Sequence, residues 1–148
     1  MKSASSYEQS LEEFLKVKEA EESRLLEPIG EGKWSIRDII GHLYYWDRFI
    51  VTEHVPFMAQ GTRLIAFPDH DLHNKEAIAF ISRFDTIHLL LDEFVRTRKQ
   101  LLQRIRDIGT ETRFSIGSGK RQFTADSYLA IFVKHDIHHL KQINNKLS

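Results

Sequence analysis

Cysteine is absent from the 148 residues, which removes disulfides, thiolate metal ligands and a cysteine nucleophile together. Any thiol chemistry therefore needs a thiol brought in as a co-substrate. Proline and glycine are scarce, at 3 and 7 residues, so few positions can interrupt a helix. No apolar run approaches the length of a membrane span, and the first ten residues lack the apolar core of a signal peptide. Excess charge of one sign is missing as well. The 21 Lys plus Arg balance 21 Asp plus Glu, so no overall field draws the chain to nucleic acid or an anionic membrane. These absences lead us to expect one domain over residues 1–148, cytoplasmic, with no nucleic-acid or membrane partner.

What remains is helical patterning. Tyr7, Leu11, Phe14, Leu15, Leu25 and Leu26 supply the apolar side of a first helix expected from about Ser5 to Glu27, ended by Pro28, Gly30 and Gly32. A second helix starts at Ser35, where Ser35-x-x-Asp38 is a capping-box signal. Its apolar residues form two stripes, one of Ile36, Ile40, Leu43 and Ile50, the other of Ile39, His42, Trp46 and Phe49. Residues Pro56 to His73 read as a long connection. Asn74 is expected to cap a third helix running through Ile81, Phe84, His88, Leu91, Val95, Leu102 and Ile105. Gly109 to Phe123 reads as a polar loop or at most a short hairpin. Thr124 then caps a last helix carrying Tyr128, Ile131, Phe132, His135, His139 and Gln142 on one side. No period-2 segment competes, so the expected fold is all-α, a four-helix bundle with two long connections.

The chain has eight histidines, and their placement points to metal chemistry. His135 and His139 lie at i and i+4, so on a helix they share one face and can chelate one transition-metal ion. His42 lies on an inward stripe of the second helix. Three inward histidines would each need a buried hydrogen bond, whereas one metal satisfies all three and keeps a position open for chemistry. His138 sits about 100° round the helix from His139 and is expected outside the set. His54 is about 18 Å along a helix from His42 and is demoted likewise. His70 and His73 fall in the long connection, which could fold over the open end of the bundle and meet substrate, though a solvated loop explains them more simply. His88 reads as a hydrogen-bonded core residue. Asp38, one turn before His42, either orients that imidazole or only caps its helix, and Gln142 is placed to bond a ligand imidazole. Trp46 is a candidate pocket wall. The basic run Arg96 to Arg104 reads as a solvated helix face.

Trp34-Ser35-Ile36-Arg37-Asp38-Ile39-Ile40-Gly41-His42-Leu43 and His135-Asp136-Ile137-His138-His139-Leu140-Lys141-Gln142-Ile143 resemble the paired signatures of the DinB/YfiT superfamily. Asp136 stands where glutamate is common in that pattern. The resemblance covers nearly the whole chain. It implies a bundle of up-down-down-up type, with His42, His135 and His139 ligating a divalent metal such as zinc or nickel. It also implies a homodimer, for which the crowding of Tyr44, Tyr45, Trp46 and Phe49 on one helix gives a separate reason. Relatives include thiol S-transferases using bacillithiol, mycothiol or glutathione, maleylpyruvate isomerases and metal-dependent hydrolases. The expected function is thus a metal-dependent enzyme, foremost a bacillithiol-like S-transferase acting on a small-molecule substrate. A metal-dependent hydrolase and a non-enzymatic, stress-related metal-binding bundle are the alternatives.

Overall fold

Helices dominate the computed structural model, which describes residues 1–148. They are α1 (Lys2–Leu15), α2 (Glu22–Leu26), α3 (Ile36–Phe49), α4 (His70–Ile81), α5 (Ile87–Ile105) and α6 (Ala125–Leu147). Two strands of two residues, β1 (Arg63–Leu64) and β2 (Ser115–Ile116), pair in parallel and tie the α3–α4 connection to the α5–α6 connection. Strands so short leave no period in a sequence. The hairpin reading of 109–123 survives as one antiparallel bridge between Phe114 and Phe123. No helix is long and apolar enough to cross a membrane.

The capping signals place two of the helices. At Ser35 both arms of the box form: the Ser35 hydroxyl accepts from the Asp38 N–H at 3.1 Å, and the Asp38 carboxylate accepts from the Ser35 N–H at 3.2 Å. Thr124 and Ser127 make the same reciprocal pair at α6. Two expected helices are broken instead. The first stops at Leu15, passes through a 3-10 turn at Lys16–Glu19 and turns at an extended Ala20 before α2. Between Leu15 and Leu25 the only large apolar side chain is Val17, too little to hold a helix face against the core. The third is two helices. Asp69, not Asn74, caps α4 through the Leu72 N–H, and Thr86 caps α5 through the Leu89 N–H. Residues 82–86 turn the chain between them, held where Arg37 donates to the carbonyls of Ile81 and Phe84.

Long-range bonds set the helix directions. The Ser3 N–H bonds Asp126, so the starts of α1 and α6 adjoin and the two run parallel. Arg37 reaches the entrance to α5 while Asp47 meets Arg98, so α3 and α5 also run parallel. His42 faces His135 while His54, past the end of α3, meets Tyr128 near the start of α6, so these helices are antiparallel. The bundle is up-down-down-up.

The interior has three layers. One apolar cluster joins Tyr7, Trp46, Ile50, Leu101, Ile105, Tyr128 and Phe132. The other joins Leu11, Phe14, Ile40, Leu43, Leu91, Phe94 and Ile143. Between them each of the three helices α3, α5 and α6 turns a polar side chain inward: His42 and Asp47, Arg98, and Asp136 with His139. A buried polar layer at mid-bundle therefore gathers the candidate site residues His42 and His139 between two apolar clusters.

Candidate metal centre

The regular course of α6 makes the first pair. Its uninterrupted helical turn stacks His135 and His139, with Nε2 atoms 3.1 Å apart and ring centroids at 4.6 Å. His42 comes from the antiparallel α3 opposite, its Nε2 3.0 Å from that of His135 and its ring 5.1 Å from that of His139. The three ligand-type atoms all lie within 4.8 Å of one another. His42 and His139 are buried at 5% and 8% exposure, while His135 is half-buried.

Neighbours fix how the rings present themselves. The Nδ1 of His42 donates to Asn74 Oδ1 at 2.9 Å, and the Nδ1 of His139 donates to Gln142 Oε1 at 2.7 Å. Amide oxygens only accept, so in both neutral rings the proton is on Nδ1 and a bare lone pair is left on Nε2. Both lone pairs point at His135, which has at most one Nε2 proton to share between them. The donor set is thus over-supplied with lone pairs and suits a cation. Burial, with the neighbouring imidazoles His135 and His139, lowers the pKa of His42 to about 3. Burial and then His139 lower that of His135 to about 3 as well. The rings are neutral near pH 7, the state a ligand requires.

Gln142 touches His139 as the sequence expected. Asp38 does not touch His42. Its carboxylate is engaged in the cap of α3, and the oxygen on His42 comes from Asn74. Asn74 was read from sequence as a helix cap. Capping at Asp69 moves the helix start five residues earlier and leaves the amide free to face α3. Gly41 makes that approach possible: a Cβ there would stand 2.5 Å from Ile81 Cδ1 and 2.8 Å from its Cγ2.

A cleft of about 490 Å³ opens beside His42 and His135, walled by Trp46, Phe67, Ile131 and Phe132. A second, of about 310 Å³, reaches His139 and Gln142 past Trp34 and Lys33. Trp46 is a wall, as expected. Its cluster-mates Tyr44 and Tyr45 are covered by Phe80 of α4 at 6.2 and 5.4 Å. Tyr44 and Trp46 are thus buried within this chain, while Tyr45 and Phe49 stay half-buried and line a separate surface cleft of about 360 Å³ with Arg48 and Thr52.

The remaining histidines separate from the set. His138 is exposed, its ring at the edge of His139. His54 is fully buried, taking a bond from the Tyr128 hydroxyl at 2.6 Å and giving one to the Ile65 carbonyl at 2.8 Å. Burial lowers its pKa. His70 opens α4 at the rim of the larger cleft, 5.6 Å from the Trp46 ring. His73 is buried under Trp46 at 4.1 Å with Nε2 unpartnered. His88, expected in the core, is exposed because the break before α5 rotates its turn outward.

Sequence reasoning missed the layer behind His135. Arg98 is fully buried rather than solvated. Its guanidinium bonds Asp47 at 2.8 Å and Asp136 at 2.7 Å, lies 3.5 Å over the Tyr7 ring, and Tyr7 donates to Asp47 at 2.5 Å. Burial alone would depress the Arg98 pKa, but Asp136 and Asp47 outweigh it and hold it well above its ordinary value. Burial lifts Asp136 to about 6 against the pull of Arg98. The available signal was spacing: Arg98 falls between Phe94 and Leu101 on the inward stripe.

Comparison with known proteins matches this arrangement to a family. YfiT from Bacillus subtilis, described as a probable metal-dependent hydrolase with an unusual four-helix bundle topology, superposes with a TM-score of 0.77 at 17% identity, covering 98% of this chain and 83% of that one. At that identity the likeness establishes the fold. No curated protein matches the sequence. The family model of the DinB superfamily matches residues 6–143, a span that takes in every bundle helix and all three converging histidines, and the chain belongs to that superfamily.

Proposed function

We propose that His42, His135 and His139 hold one divalent metal ion, zinc or nickel, and that the protein is a metal-dependent S-transferase for a low-molecular-weight thiol of the bacillithiol type. When bound, such an ion is a Lewis acid that lowers the pKa of a thiol or a water and so favours its deprotonation near neutral pH. The chain's own groups do the rest. Asn74 and Gln142 hold two imidazoles with Nε2 bare and aimed at the centre. Trp46, Phe67 and Phe132 form an apolar wall against which an electrophile can lie. The sulfur then attacks an electrophilic carbon. The carbon–sulfur bond forms as the bond to the leaving group breaks, and the leaving group departs with the electron pair. The thiol proton passes to solvent or to His70.

The observation that carries the choice of thiol over water is the cleft lining, which contains no carboxylate. Zinc brings bound water from a pKa of about 15.7 to about 7, so the metal alone does not separate the two nucleophiles. A thiol starts at about 8.5 and, with no carboxylate in the lining to take a proton, is the easier of the two to ionise. Hydrolysis is the second reading. It is supported by the description of YfiT and by His70, a titratable group on the cleft rim that could accept a water proton. Turnover of an electrophile such as monochlorobimane by metal-loaded protein, with and without added thiol, tests the choice. Product that requires thiol supports transfer. Turnover of an activated ester with water alone, and none with thiol, replaces it by hydrolysis.

A further inference from the structure

We infer that the larger cleft selects a small molecule with a flat apolar body and one carboxylate, and that Lys134 is the residue that recognises the carboxylate. This names the substrate class for the site proposed above. The binding step stands on the cleft itself, with or without a metal.

Lys134 immediately precedes His135 on α6 and lines the cleft. It is exposed and takes part in none of the molecule's six ion pairs. The positions that could quench it along the helix, three and four residues away, are Ala130, Ile131, Ile137 and His138. None is acidic. The other helices bring no acid to the lining either, so the ammonium is the only fixed charge there. The nearest carboxylates on the inner side, Asp47 and Asp136, are buried and committed to Arg98. Asp69 and Asp71 flank His70 in sequence, but neither lines the cleft, and Asp69 accepts the capping N–H of Leu72.

Against that single cation stands an aromatic surface. Trp46 and Phe67 meet at 6.0 Å, Phe67 and Phe132 at 5.9 Å, and Ile131, 38% exposed, extends the apolar wall one turn before His135. A volume of about 490 Å³ is in the range of small-molecule pockets. An apolar wall with one unpaired ammonium at its edge fits an aromatic acid and disfavours an amine. A lone lysine acts as a point charge, so a compact carboxylate suffices and no bidentate geometry is required.

Calorimetric titration of the full chain with 2-naphthoate, 2-naphthamide and 2-naphthylmethylamine tests this, on zinc-loaded and on EDTA-treated protein. The acid should bind about tenfold more tightly than the amide in both forms, as one charge-assisted hydrogen bond warrants, and the amine most weakly. Lys134→Met should bring acid and amide to within about twofold, Lys134→Arg should keep most of the preference, and both should retain the zinc content of the parent. Equal binding of acid and amide by the parent chain overturns the inference. So does a preference that survives in Lys134→Met, because the carboxylate is then seated on the metal or on His70. A parent chain that holds no zinc yet keeps a Lys134-dependent preference sinks the metal reading and leaves this one standing.

Discussion

At the scale of single residues, the centre rests on three nitrogens and two amides. Alanine at His42, His135 or His139 should abolish stoichiometric metal binding, whereas His138→Ala should leave it intact, since that ring is exposed and points away. Metal content by elemental analysis, on protein never exposed to a nickel column, reads both. Equal losses at His138 and His139 would contradict the ligand register. Asn74→Leu keeps the volume of the side chain but removes the oxygen that holds the His42 proton on Nδ1. Removing such a partner typically weakens metal binding about 10–100-fold, which a competitive chelator titration would detect. An unchanged affinity would show that Asn74 does not orient the ring.

At the scale of elements, α4 matters most, since it covers the aromatic side of α3 and carries both Asn74 and His70 to the site. Its close seat depends on Gly41. A methyl group there collides with Ile81, buried at 2% exposure, so Gly41→Ala should cost about 1–3 kcal/mol in urea unfolding and weaken metal binding through Asn74. Wild-type values in both measurements would mean that α4 adjusts freely. Arg98 secures α5 against α3 and α6 together. Arg98→Met strands two buried carboxylates, and breaking such a pair from one side costs about 3–5 kcal/mol. A loss below about 1 kcal/mol would show that water reaches the layer and the pairing contributes little.

At the scale of the whole molecule, the buried histidines make stability depend on pH. Burial, with neighbouring imidazoles for the ligand pair, depresses the pKa values of His42 and His135 to about 3, and burial lowers those of His54, His73 and His139. An unfolded histidine titrates near 6.5, so below that pH the unfolded chain binds more protons than the folded one. The metal-free protein should therefore be most stable above about pH 6.5 and lose stability as pH falls from there toward 4. Each strongly shifted histidine contributes roughly 1.4 kcal/mol per pH unit. Asp136, raised by burial to about 6, and Asp47, also raised by burial, act oppositely at acid pH, but they are two groups against five histidines. Urea midpoints at pH 7.5, 6 and 5 check the sign, and a flat profile would refute it. Added metal should raise the melting temperature, and more at pH 7 than at pH 5.5, because protons compete for the same nitrogens. We carry the homodimer as a proposal from the family resemblance alone. The aromatic face of α3 is covered at Tyr44 and Trp46 and half-exposed at Tyr45 and Phe49, and the larger apolar side chains still exposed include Ile137 and Leu89. A clean monomer by light scattering at micromolar concentration would end that proposal.

Much of this molecule was written locally in the chain. The i, i+4 spacing of His135 and His139 on one uninterrupted helix, the capping pairs at Ser35 and Thr124, and the inward stripe of His42 all depend on neighbours within one or two turns. Helical geometry therefore determined them before any fold was known. The absence of cysteine likewise limited thiol chemistry to a co-substrate. The breaks at Ala20 and at residues 82–86 were not legible, because a helix continues or stops according to the core its next turn would meet. The partner of His42 was not legible for the same reason: Asp38 is four residues away and Asn74 is 32, yet only the second reaches the ring. Arg98 showed only as one basic residue in a basic run. Whether a guanidinium faces water or two carboxylates is decided by which helices close around it. Local geometry determined where each side chain points along its own helix, and the packing of α3, α4, α5 and α6 decided what it finds there, because those partners lie far apart in the chain.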